Sequence, residues 1–384
     1  MPQDLNAQLT KAVHDYTKRN FGGETHSELV SEIGPELLRA MQKKIKEHGM
    51  HRELICVNCL GTSGCHGKCP AKPKASGRRF IKYCGMPCVS FSSRGPQMDL
   101  VHETCKLFAT ELEDLKADPP DYAMIECTSR FPANLIQEDV EIAALFWVFV
   151  MSLSPTDFGQ PYSRGRTIVL LANKEKYIIT LEPTAFLEKC LRTVCLSGNV
   201  FLCASKEEIQ SYKDGVARKR RQSSRLPWPE LLTVSESMRF REQKEKAMQK
   251  FDGVTGLFSL LDQNDGYESM GPLLPCLTRG NHVWSWDEMR TVVPSEALLA
   301  HGFPCTAKLE KLLGVGMPFD PSALKPADLY SLVGNGQSLQ VMGWANLWCL
   351  AFTAQRDMPT VQGSLSVGCV DDDLAEGIDT EISS

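Results

Sequence analysis

Between residues 80 and 175 short apolar runs alternate with amphipathic stretches, and no other feature limits the fold of this chain as strongly. "FIKYCG" is followed by the helix-like "DLVHETCKLFATELEDLKA", then by "DYAMIEC", the helix-like "LIQEDVEIAALFWVFVMSL" and "TIVLLANK". Strand, helix, strand, helix, strand in that order predicts an α/β domain with a mainly parallel sheet. Ligands of such sheets sit outside the carboxyl ends of the strands, and Cys88 and Glu126 each lie just past such an end.

Around this core the chain divides by pattern. Residues 1–79 read as polar and helical to about residue 48 and then as a loop rich in Cys, Gly, Lys and Pro. Residues 176–275 lose the α/β rhythm and read as a smaller, irregular region. Order returns over 276–355, ending in the helix-like "SLQVMGWANLWCLAFTAQ", and residues 356–384 form an acidic tail of unfolded character.

With 42% hydrophobic and 23% charged residues, a chain of 384 residues reads as globular, long enough for one large domain or two ordinary ones. The net charge of −5 is too mild to mark the whole surface as a polyanion binder, so any such surface has to be local. The start of the chain has no cationic region followed by an apolar one, and the 15 cysteines are therefore expected to be reduced and inside the cell. The most apolar run, "IAALFWVFVMSL" (142–153), is too short to cross a bilayer and reads as a buried helix or strand, so no membrane partner is expected.

Three groups of residues could carry chemistry. Cys88 follows Pro87 in a turn that continues through Ser92 to Gly95, where backbone N–H groups can face a thiolate. A buried structural cysteine is the alternative, since free cysteine is among the most buried residue types. Glu126 ends the strand-like "YAMIE", which puts a carboxylate at the mouth of the sheet, or else makes it a cap or ion-pair partner. Arg164 and Arg166 stand two apart, on one face of an entering strand, able to hold phosphate or substrate oxygens or simply to face solvent.

In their order along the chain these elements resemble the cytosine-5 DNA methyltransferases. The resemblance is carried by "PCVSFSSRG" (87–95), "IECTSRFP" (125–132), "GQPYSRGRTIVLL" (159–171), "RTVVPSEALLAHGFP" (290–304) and the Gly-Asn helix start in "LVGNGQSL" (332–339). It spans about residues 80–355 and implies a Rossmann-like, S-adenosylmethionine-dependent methyltransferase fold with a smaller, irregular target-recognition region.

By this resemblance Cys88 adds covalently to carbon 6 of a flipped-out cytosine and Glu126 holds and protonates ring nitrogen 3. Arg166, with Arg164 nearby, contacts the base oxygen or a phosphate. Pro87, Ser92 and Gly95 shape the loop around the base, and Gly334 and Asn335 are expected to bind the cofactor. The basic run "ARKRRQSSR" falls where the family carries its recognition region, so Arg218, Lys219, Arg220 and Arg221 are expected to meet DNA phosphates. A nuclear-import signal or a solvated loop is the other reading of that run. DNA, or RNA through the same motifs, is the implied partner, and the nucleus the implied compartment; no protein partner can be inferred.

The chain also departs from the family. The Asp-x-Phe-x-Gly-x-Gly turn that wraps the donor's methionine part has no counterpart; "NFGGE" (20–24) has two glycines but no Asp and no apolar strand before it. Cys127 and Thr128 follow Glu126 where the family has Asn and Val, and Tyr162 stands where a Gln commonly precedes the arginines. Cys56, Cys59, Cys65 and Cys69, with His66 among them, form a tight C-x2-C-x5-C-x3-C cluster, read as reduced loop thiols or as a tetrahedral zinc site. An enzyme and a DNA-binding homologue without methyl transfer are both compatible with this sequence.

Overall fold

Strands that read as continuous apolar runs need cover on both faces. In the computed structural model, which describes residues 79–86, 91, 105–250, 255–262, 270–278, 282–317 and 319–356, that cover is present. The chain runs through β1 (Ile81–Gly85), α1 (Cys105–Ala117), β2 (Tyr122–Thr128), α2 (Asn134–Glu138), α3 (Val140–Leu145), β3 (Phe146–Leu153) and β4 (Arg166–Asn173). It continues with β5 (Tyr177–Ile179), α4 (Pro183–Cys190), α5 (Lys206–Arg220), α6 (Val234–Lys250), β6 (Phe258–Leu260), β7 (Met270–Gly271), β8 (Val283–Ser285) and β9 (Arg290–Thr291). It closes with α7 (Pro294–Ala300), α8 (Ala307–Leu313), α9 (Pro326–Asn335), α10 (Leu339–Ala351) and β10 (Thr353–Gln355).

The first sheet has the order β1-β2-β4-β3. Side chains alternate across it: Ala123, Ile125, Cys127, Val169 and Leu171 pack with Phe108 and Leu112 of α1 and with Ile136 and Ile142. Met124, Ile168, Leu170 and Ala172 pack on the other side with Trp344 and Trp348 of α10 and Phe186 of α4. Each isoleucine, leucine, valine, methionine and phenylalanine among them, removed from water, contributes about 1.5–3 kcal/mol. The α/β class is therefore as expected, but the sheet is mixed. β1 and β2 are parallel neighbours, whereas β4 runs antiparallel to both β2 and β3.

β3 corrects the placing of "LIQEDVEIAALFWVFVMSL" as the second helix of the rhythm and settles its apolar part, readable as helix or strand, as strand from Phe146. Asp139 accepts from the N–H groups of Glu141 and Ile142 and so caps α3, which ends after six residues. The aromatic and β-branched run from Phe146 then fits a pleated surface better than a helix and continues as a strand.

The region after residue 176 is also more regular than expected. A second, antiparallel sheet of order β7-β6-β8-β9 draws strands from both sides of residue 275. Its core joins Phe258, Leu274 and Val283 to Leu298 of α7 and Tyr330 and Val333 of α9. No helix among the described residues is long and apolar enough to cross a membrane.

Candidate functional site

Strand register brings the candidate residues to one edge. Gly85 pairs with Glu126, Thr128 with Arg166, and Leu153 with Arg166, so the carboxyl ends of β1, β2 and β3 surround the start of β4. Glu126 is 8% exposed there, and Arg166 Nε stands 2.8 Å from its Oε1. The two are close enough for an ion pair, yet Oε1 has no aligned hydrogen-bond donor. Burial works against the Arg166 charge, but the neighbouring Cys276 and Glu126 outweigh it and hold the guanidinium above its ordinary pKa.

Arg164 behaves differently. The strand begins only at Arg166, so the expected sharing of one strand face does not extend back to Arg164. Its side chain is buried, with Nη1 donating to the Leu277 carbonyl at 3.0 Å and Nη2 to the carbonyls of Gly334 at 3.2 Å and Gly336 at 2.6 Å. These last two oxygens lie where α9 ends and the carbonyls lack helical partners, so the guanidinium serves as a C-terminal cap. Gly334 and Asn335 thus end a helix rather than start one, because Pro326 opens α9 and α10 begins after Ser338.

Glu126, Arg164 and Arg166 line a small cleft with Gln337, Ser338 and Met342. Its free volume of about 10 Å³ is the room of one water molecule, so a ring-sized ligand requires these side chains to move. Gln337 and Cys276 belong to this site although sequence reasoning did not single them out. Cys276 Sγ lies 3.8 Å from Arg164 Nη1 and 3.6 Å from Arg166 Nη2. No motif signals Cys276. Gln337 could have been found from its place just after the Gly-Asn-Gly turn.

Pro87, Cys88, Ser92 and Gly95 lie outside the described residues. Residues flanking the Pro-Cys step are described. Met86 N donates to the Glu126 carbonyl at 2.9 Å, and Cys127 Sγ lies 3.9 Å from the Met86 carbonyl. Phe91 is buried and packs edge-on against Phe131, with ring centroids 5.3 Å apart. Cys127 thus reaches the backbone of Met86, the residue before the Pro-Cys step. Cys84, four residues before Cys88, is a poor nucleophile: burial and Glu111 push its thiol well above the ordinary range.

The late motif is structural. Arg290 Nη1 and Nη2 donate to Glu296 Oε2 and Oε1 at 2.8 and 2.7 Å, and the Val293 and Ala204 N–H groups donate to the same carboxylate. His301 Nε2 lies 2.8 Å from Tyr162 Oη, tying the residue before the arginines to the "HGFP" turn. Burial first, and then the Arg164 charge, lower the His301 pKa to about 3, while burial pushes the Tyr162 phenol up.

Residues 217–220 of the basic run form the last turn of α5 and Arg221 its cap, while residues 222–225 continue outside the helix. Arg221 closes the helix in the left-handed region at φ 56°. Acidic Glu207 and Glu208 in the first turn and Arg218, Lys219 and Arg220 in the last complement the helix dipole. Arg220 turns inward to Glu236 at 2.9 Å and to the Leu231 carbonyl, leaving Arg218, Lys219 and Arg221 exposed. The cysteines at 56, 59, 65 and 69, the expected N-terminal helix and the acidic tail lie outside the described residues; among the described residues no group of three or more metal-ligating side chains occurs.

No family model matches the chain, and no curated protein matches it in sequence. Among solved structures it is similar to the Entamoeba histolytica methyltransferase EhMeth, at 15% identity over 70% of this chain and 76% of that one, with a TM-score of 0.37. Similar too are Dnmt2 methyltransferase of S. pombe, at 15% identity over 70% and 77% with a TM-score of 0.37, and a variant of Spodoptera frugiperda DNMT2, at 16% over 70% and 79% with 0.35. At TM-scores this low the likeness says nothing of the reaction.

Proposed function

We propose that the chain methylates carbon 5 of cytosine in a nucleic acid through a covalent adduct with Cys88. The observation that carries this reading is the meeting of Glu126 and Arg166 at the carboxyl ends of the strands, with Oε1 lacking an aligned donor. Met86 is hydrogen-bonded to the Glu126 backbone, and Cys88 follows two residues later, within about 7 Å of chain.

In the reaction, the Cys88 thiolate forms a bond to carbon 6 of the base. The electron pair displaced from the carbon 5–carbon 6 double bond makes carbon 5 nucleophilic. Glu126 holds a proton at ring nitrogen 3 and so offsets the charge that the addition pushes onto the ring. Arg166 moves from Glu126 to the base oxygen, and Arg164 fixes the α9–α10 turn against β4. Arg218, Lys219 and Arg221 supply phosphate contacts.

S-adenosylmethionine would supply the methyl group, its sulfur–methyl bond breaking as carbon 5 takes the methyl. Loss of the carbon 5 proton to a water base and expulsion of the Cys88 thiolate from carbon 6 then restore the ring double bond and free the enzyme. Gly334 and Asn335 alone do not make a site for it: the Gly334 carbonyl is bonded to Arg164 and Asn335 is exposed. That occupancy, with the missing glycine turn upstream, favours a second reading, a nuclear DNA-binding protein that has lost methyl transfer.

Incubation of the full chain with tritiated S-adenosylmethionine and either duplex DNA or RNA separates the two. Label entering the nucleic acid, and lost in Cys88→Ala, is expected. Salt-dependent duplex binding with no label in either polymer would overturn the enzyme reading in favour of the second.

A further inference from the structure

Away from the cleft, α5, the start of α7 and the turn after α8 enclose an open groove of about 960 Å³. Val293, Met317, Phe319 and Leu329 give it an apolar floor. Its charged lining residues are Glu208, Glu310 and Asp320, and no lysine, arginine or histidine lines it. Glu310 Oε1 accepts the Met317 N–H at 3.2 Å, which bends the turn around the groove. Glu208 projects from the exposed first turn of α5.

Next to the groove, α8 has no buried side chain. Leu312, Leu313 and Val315 are 75%, 52% and 58% exposed, so a helix that should bury an apolar stripe leaves it in water. We propose that this surface docks a basic amphipathic peptide segment of a partner protein. The acidic rim selects cationic side chains by charge complementarity, and the floor and the α8 leucines take the apolar ones. A small organic cation would fill the groove but leave Leu312 and Leu313 uncovered, and the extent of the apolar surface therefore favours a peptide. The inference stands apart from the methyl-transfer reading, since none of these residues belongs to that site.

The test is fluorescence anisotropy with the full chain and a labelled eighteen-residue peptide of leucine and lysine at amphipathic helical spacing. Saturable binding is expected, weakened about tenfold or more in Glu208→Gln/Glu310→Gln and in Leu312→Asp, with a leucine/glutamate peptide of the same spacing not binding. Glu310→Gln keeps the acceptor for Met317, and Leu312 is on the surface, so circular dichroism should show both variants folded. Absence of binding, equal binding of the acidic peptide, or binding untouched by the substitutions would overturn the proposal. Self-association in sedimentation that Leu312→Asp abolishes would also overturn it, by assigning the surface to a second copy of the chain.

Discussion

Two of the arginine–carboxylate pairs among the described residues, Arg290–Glu296 and Arg166–Glu126, differ in how completely the carboxylate is used. Glu296 receives both Arg290 nitrogens and two backbone N–H groups, and is fully enclosed. Glu126 has one arginine nitrogen at 2.8 Å, an oxygen with no aligned donor, and a cleft beside it. A carboxylate with every lone pair filled joins β9 to α7; one left partly unfilled at the mouth of a sheet can exchange its partner for a substrate.

The contrast is broken most directly at Glu126. Glu126→Gln should lower methyl transfer by about 10²–10⁴-fold through loss of the proton at nitrogen 3. Urea unfolding of the same variant should change by less than it does in a Glu296 variant, because Arg166 keeps the Gly165 carbonyl and Cys276 Sγ as partners and Glu126 Oε1 has no aligned donor to lose. If stability falls as far as it does in a Glu296 variant, the two pairs do the same job. Glu296→Gln should cost about 3–5 kcal/mol in urea unfolding, because it strands the buried Arg290 charge.

The pH dependence sharpens the comparison at lower amplitude. The unfolded chain takes up a proton at His301 below its ordinary 6.5, whereas the folded chain takes it only at about 3. Stability should therefore fall as pH drops below 6.5, by about 2 kcal/mol near pH 5, and His301→Gln should flatten that slope in chemical unfolding. Glu236 follows at lower pH. Burial alone would raise its pKa, but the hydrogen bonds from His282 and Thr233 hold it at about 2, so its contribution is complete above about 4.5 and is lost as pH falls towards 2. The smallest effect is at the surface: Arg218→Ala/Lys219→Ala should lower the magnitude of the salt slope of duplex binding by about 1 per phosphate contact removed, with adduct chemistry unchanged.

Much of this was readable from residue patterns, and the failures have physical causes. β2 and β4 were legible because cover on both faces makes a strand apolar throughout. β3 stayed open between helix and strand because it follows α3 without a turn residue, so no boundary marks Phe146. Arg166 could be placed from the start of its strand, but Glu126, expected to end its strand, lies inside β2, which pairs on through Thr128; the alternation rule failed for Arg164 because the strand starts after it. Gly334-Asn335 looked like a helix start, but proline at the first turn of α9 and Ser338 before α10 show the boundaries. The buried Arg290–Glu296 pair and the Cys276 contact were not legible, since they depend on which loops the second sheet brings together.

The central claim concerns a bond to sulfur, and trapping tests it most directly. The full chain would be incubated with S-adenosylmethionine and duplex DNA or RNA carrying 5-fluorocytosine, whose fluorine cannot leave as a proton does and so holds the adduct. The wild type should give a denaturation-resistant complex with one of the two, and Cys88→Ala should give none. An equal yield from Cys88→Ala, or none from a wild type that binds both polymers, would contradict the account.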